Sequence, residues 1–245
     1  MSVGRNELRL HTVGDRRYFG WLTAMLALLV FSGFARTFYF FPIFRLPAPP
    51  TLLVVHGTLM TAWIALLAVQ TALISARRID WHKKVGIAGG FLSALILPLG
   101  CMATLTAAQR EVRTHSVFVP SQLSVLGLEL TQMALFAALV GMALWLRKQP
   151  SSHKRLMIVA TLCIVPNSIV RLSLLTNIEI LSKNIVLLSI WALLVIGVVT
   201  TDSLRVRRID PAFGWSASIA IVALYGALYV GSTKAWTDYW VRLLG

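Results

Sequence analysis

Apolar runs of about twenty residues, separated by short clusters of lysine and arginine, govern what this chain can become. Seven such runs occur, over about 19–41, 51–76, 83–107, 122–146, 156–176, 184–203 and 214–236. At about 1.5 Å per residue, a helix of that length crosses a hydrocarbon core about 30 Å thick. Lipid offers the backbone no hydrogen-bond partners, so each run must satisfy its own amides and is read as a helix. The expected fold is all-α, a polytopic membrane bundle of seven transmembrane helices. It divides into a segment 1–18, a transmembrane domain 19–236 and a short tail 237–245. Charged residues make up 13% of the chain, against about a quarter in soluble domains.

Orientation follows from where the cations fall. Fifteen of the 23 lysines and arginines lie in the N-terminal segment and in three turns, near 77–84, 147–155 and 205–208. All four regions belong to one side of a seven-span chain, which makes that side cytoplasmic and places the C-terminus outside. Trp21, Trp81, Trp145 and Trp215 fall at the same helix ends, and Trp236 and Trp240 at the opposite ones, as interfacial tryptophans do. The first run exceeds the roughly 7–15 apolar residues of a signal peptide and ends in Phe38-Tyr39-Phe40-Phe41-Pro42, so it is read as a retained first helix. The expected location is a bacterial inner membrane. The net charge of +14 is this same bias. It is not the soluble basic face, interleaved with aromatics, of a nucleic-acid binder, and no nucleic acid is expected. The expected partners are the lipid bilayer and a membrane-protein complex. Cys101 and Cys163 lie in different runs at different depths, out of reach of a disulfide.

Thr51 and Ser121 are read as N-caps of the second and fourth helices, and Gln109 to Pro120 as the longest polar connection. Arg77-Arg78-Ile79-Asp80 recurs as Arg207-Arg208-Ile209-Asp210, and His82-Lys83-Lys84 is echoed by His153-Lys154-Arg155. This suggests a repeated helical hairpin, with helices 2–3, 4–5 and 6–7 as copies. Asp80 and Asp210 each precede a helix and are read as caps, as are Ser151 and Ser152. Gly86, Gly90 and Ala94, with Ala137 and Gly141, are read as a small-residue packing ladder.

Ionisable and amide residues inside spans are costly and face the bundle interior. Arg36, His56, Glu129, Gln132, Asn167 and Arg171 come from four helices, most of them roughly 7–15 Å inside the outer boundary at about 1.5 Å per residue. His56, Met60, Trp63, Leu67 and Gln70 share one helical face, as do Glu129 with Gln132 and Asn167 with Arg171. Pro166 withholds a hydrogen bond from the Leu162 carbonyl and bends the fifth helix. Two readings stand. One is a structural ion pair, Glu129 with Arg171 or Arg36, completed by His56 and Asn167. The other is a binding or proton-handling site, with the arginines holding an anionic or carbonyl group and Glu129 and His56 exchanging protons or ligating. His82 and His153, at equivalent helix mouths, are candidate cofactor ligands.

The turns His82-Lys83-Lys84-Val85-Gly86 and His153-Lys154-Arg155-Leu156-Met157 resemble those of small bacterial multipass membrane proteins, mostly of unassigned function, among them proteins implicated in cytochrome-oxidase assembly. The likeness covers helices two to five. It implies haem, copper or respiratory-chain business. The chain departs from the cytochrome b561 pattern of histidine pairs on facing helices, since only His56 lies well inside a span. The functional expectation is a ligand site for haem b, a quinone or a lipid headgroup, accessory to a respiratory or biogenesis system. The alternatives are a proton-coupled carrier and a structural partner subunit.

Overall fold

A computed structural model describes residues 3–114, 122–175, 178, 180 and 183–245, with side chains from Gly14 onward. Its helices are α1 (Val3–Phe34), continued by a π-helical turn Ala35–Tyr39, then α2 (Thr51–Ser75), α3 (Ile79–Thr114), α4 (Gln122–Trp145), α5 (Pro150–Ile164), α6 (Pro166–Ser173), α7 (Asn184–Val206), α8 (Pro211–Gly231) and α9 (Lys234–Leu244). Counting α5 and α6 as one span, seven segments are long and apolar enough to cross a membrane, as the seven runs require. Leu28, Phe91, Leu193 and Val222 are exposed, as lipid-facing side chains must be. Trp21, Trp81, Trp145 and Trp215 are exposed near the basic face.

The helices form a ring around one element. α1 packs on α2, α2 on α3, α3 on α4, α4 on α8 and α8 on α7. α6 closes the ring between α7 and α1, while α5 packs chiefly on α4 and α8. The fifth span therefore changes neighbours halfway through. Pro166 is the reason: it has no N–H, and it ends α5 at Ile164. The Leu162 carbonyl, denied its usual donor at position 166, accepts from the buried Trp191 indole at 2.8 Å and from the Val165 amide at 3.2 Å. α6 leaves the break towards α1, where a Cβ on Gly33 would come within 2.6 Å of the Ser168 carbonyl oxygen.

Several boundaries differ from expectation. The segment expected to be a polar lead is already helical from Val3. α3 runs past its apolar stretch to Thr114 and absorbs much of the expected polar connection. Gln109 to Arg113 contains no glycine or proline, and a helix leaving the apolar layer is not ended by polarity alone. Ser121 and His115 lie outside the described residues. Glu111 is buried and its carboxylate accepts from the Gln122 amide at the start of α4. The last span ends at Gly231, and the expected tail forms α9, capped by Thr233 at the Trp236 amide. Trp236 and Trp240 fold α9 back onto Leu123, Leu126 and Ala108, and the Trp236 indole donates to the Leu123 carbonyl at 2.8 Å.

Thr51 is the first residue of α2 and makes no cap bond, and no side chain caps α5. Asp210 does cap α8, whereas Asp80 sits within the first turn of α3. The repeated tetrapeptide adopts one shape in both places: Arg77 and Arg207 are left-handed residues, φ 58° and 55°, at the ends of α2 and α7. The small-residue ladder is looser than expected. Gly90 and Leu144 are in ordinary contact and Gly141 faces open space. The close approaches to another helix's backbone are at Gly33 and at Gly231, which lies on the Ser124 carbonyl, while Gly57, Gly89 and Gly100 meet side chains.

Gly33→Ala should therefore lower stability by roughly 1–3 kcal/mol, because backbone must move, while Gly141→Ala should leave it level or raise it; thermal unfolding in one detergent compares them. Trp191→Phe should cost about 1 kcal/mol by removing the shorter of the two hydrogen bonds to the Leu162 carbonyl, which keeps only the Val165 amide at 3.2 Å.

Candidate functional site

The inward face of α2 is the one its spacing picks out. Trp63 is buried, Met60 and Leu67 are half-buried, and polar atoms of His56 and Gln70 are buried at the two ends. Trp63 packs edge-on against Phe136 of α4 and donates to Thr161 of α5 at 3.2 Å. Four helical turns separate His56 from Gln70, about 21 Å along the axis at 1.5 Å per residue. The candidate residues thus belong to two levels of the bundle.

At the level far from the basic face, Gly100 of α3 brings His56 and Met133 together. A Cβ on Gly100 would sit 2.6 Å from Met133 Sδ and 3.2 Å from His56 Cε1. Met133 lies one turn beyond Glu129, so the histidine of α2 reaches the polar face of α4 across a glycine. Glu129 accepts from the Thr104 hydroxyl of α3 at 2.8 Å. Arg171 of α6 donates to the Thr37 hydroxyl of the π-helical turn at 3.0 Å and lies 4.7 Å from the Phe34 ring centroid. Arg171 and Glu129 do not close an ion pair; each bonds a threonine instead. The bend at Pro166 accounts for this, because it sends α6 to α1 and α7 rather than to α4. Arg36 is exposed, with its guanidinium over Phe44, and takes no part. Asn167 is half-buried. Gln132 is fully buried, and neither of its amide atoms has a partner in the protein; the same holds for His56 Nδ1. Unbonded buried polar atoms are costly, and here they cluster beside an open charge pair.

At the other level, the rings of His82 and His153 stand edge to face with centroids 6.3 Å apart. His153 Nδ1 donates to the Ala143 carbonyl at 2.8 Å. His82 Nδ1 and Gln70 Oε1 are buried without partners. Among the described residues, no three His, Cys, Asp or Glu side chains converge as a metal centre would require.

An ionic network beside these histidines went unread in the sequence. Arg155 is almost fully buried and donates from Nε to Asp202 at 2.7 Å, with Asp210 at 3.3 Å from Nη1. Arg205 bonds Asp202 at 2.6 Å, and Asp15 receives both Arg205 and Lys154. Ser151 donates to Asp210 at 2.7 Å, so it serves the network and not the helix end. Three carboxylates and three cations tie α1, α5, α7 and α8 together. Asp202 was the available signal: a carboxylate at the end of an apolar run is expensive unless a cation meets it.

Comparison with family models, with characterised proteins and with solved structures finds no match to this chain. The site must be read from its own chemistry.

Arg155→Met should cost roughly 3–5 kcal/mol, because it strands Asp202 and Asp210 without their central cation. Adding Asp202→Leu should recover part of that loss, and a double-mutant cycle by thermal unfolding measures how much.

Proposed function

We propose that this protein sits in a bacterial inner membrane, N-terminus in the cytoplasm, and binds a small redox-active or acidic ligand in the outer half of its bundle. The ligand's headgroup carries a carbonyl or carboxylate oxygen, as a quinone or an organic acid does, and the role is accessory to a respiratory or biogenesis system. The observation that carries this reading is that Glu129 and Arg171 are each tied to a threonine, Thr104 and Thr37, and not to each other. A structural ion pair closes; this one is held apart.

An oxygen between them would accept from the remaining guanidinium N–H groups. Glu129, His56 and the Gln132 amide supply proton-accepting and proton-donating atoms within the same layer. Desolvation of the layer strengthens each such bond. Haem b would have one histidine at this level, His56, as an axial ligand. The open carboxylate also supports a second reading, a proton-coupled carrier in which Glu129 takes up and releases the proton.

Solvent extraction and mass analysis of protein purified in mild detergent, with an absorbance spectrum, test the proposal. The wild type should retain a near-stoichiometric small molecule bearing such an oxygen. Arg171→Gln and Glu129→Gln should each reduce it by about tenfold, the loss of one charge-assisted hydrogen bond, while unfolding only slightly earlier. A Soret band lost in His56→Ala would identify the ligand as haem. Identical extracts from wild type and variants, with a large fall in melting temperature, would leave the cluster as structural glue and end the proposal.

A further inference from the structure

The cations of the basic face fall into two groups. Lys154, Arg155 and Arg205 are neutralised by Asp15, Asp202 and Asp210. On the opposite side of α1 the arrangement is different. Asp15 turns towards α5 and α7, whereas Arg16 reaches α2 and donates to the Ser75 carbonyl at 3.4 Å. Arg16, Arg17, Ser75 and Arg77 line a cleft of about 260 Å³ between the middle of α1 and the end of α2. Neither Arg17 nor Arg77 is paired with a carboxylate among the described residues.

We propose that this cleft binds the phosphodiester headgroup of an anionic phospholipid in the leaflet at the basic face. Four features of the site support this. It is a shallow depression that opens outward, so a headgroup can enter it from the membrane surface. It concentrates guanidinium groups, whose planar forks match phosphate oxygens. It lies at the end of two spans, at headgroup depth, where basic pockets between transmembrane helices take up anionic lipids.

The fourth feature is the backbone beneath Arg77. At φ 58° this residue closes α2 in the left-handed conformation, where glycine is the unstrained choice and an arginine side chain is disfavoured. The turn places the Arg77 side chain at the cleft. Helix-dipole attraction and topology would also favour a cation at a helix end, so the decisive comparison is with Arg207. It has the same conformation, φ 55°, and the same sequence context at the end of α7, and it lies outside the cleft.

The experiment uses the full-length protein in phosphatidylcholine nanodiscs, titrated with phosphatidylglycerol and, separately, with inorganic phosphate. Native mass spectrometry counts bound lipid and a thermal melt reports stability. Phosphatidylglycerol should be retained over phosphatidylcholine, and Arg17→Gln with Arg77→Gly should weaken it by about tenfold or more. Arg77→Gly alone should lower lipid retention while melting no lower than wild type, because glycine is at ease in that turn. Arg207→Gly should match its thermal behaviour and leave lipid retention unchanged. Equal weakening by Arg77→Gly and Arg207→Gly would reduce the effect to overall charge and overturn the site. Equal retention of the two lipids would overturn it too. Protection by inorganic phosphate without lipid preference would replace the lipid by a free anion.

Discussion

The half of this bundle away from the basic face is shaped by one missing backbone donor. Pro166 cannot bond the Leu162 carbonyl, and inside a membrane that oxygen must be satisfied by protein. The Trp191 indole does so at 2.8 Å, which makes the break permanent and couples α7 to it. With the break stabilised, the fifth span can serve two sets of neighbours. Its first half fills the middle of the bundle beside α4 and α8, and its second half leans on α1. Gly33 is the complement of that lean, since any side chain there would strike the Ser168 carbonyl. Proline, tryptophan and glycine thus act on a single geometric event from three different helices.

The event has an electrostatic consequence. Arg155 in α5 and Arg171 in α6 are both cations of the same span, yet their surroundings are opposed. Arg155 lies where the helices are close and is met by Asp202 and Asp210. Arg171 lies beyond the break, where α6 packs on α1 and α7, and it bonds Thr37 rather than Glu129. Threonines from neighbouring elements fill in. Closed networks of buried charge bind helices together when every member is paired. An open pair beside the unbonded atoms of His56 and Gln132 keeps donors and acceptors available.

Much of this was legible in the sequence, and the rest fails for identifiable reasons. The spans, the inward face of α2 and the bend at Pro166 follow from run length, spacing and the missing proline N–H, all of which are local. His56, Glu129 and Arg171, picked out by depth, are each half-buried. Arg36 falls at a suitable depth but on an exposed surface, because depth along a helix says nothing of rotation about its axis where the helix changes to a π-turn. α9 escaped because its amphipathic face is completed by Leu123 and Ala108, over a hundred residues earlier in the chain. The Arg155 network escaped for the same reason, since its aspartates come from α7, the α8 cap and α1. Residues explained singly by capping or by positive-inside bias turn out to explain one another.

The repeated turn shows how far a shared sequence constrains a shared role. Arg77-Arg78-Ile79-Asp80 and Arg207-Arg208-Ile209-Asp210 close their helices with the same left-handed residue, so the local instruction is obeyed twice. The aspartates then diverge. Asp210 caps α8 and also meets Arg155 and Ser151, whereas Asp80 is exposed in the first turn of α3. The difference is in what faces each turn: α5 presents Arg155 to one, and α1 presents Arg16 and Arg17 beside the other. A basic turn facing a carboxylate becomes part of the scaffold. Where the same turn faces more arginines, Arg17 and Arg77 meet no carboxylate among the described residues, and an anionic membrane surface is a source of the opposite sign.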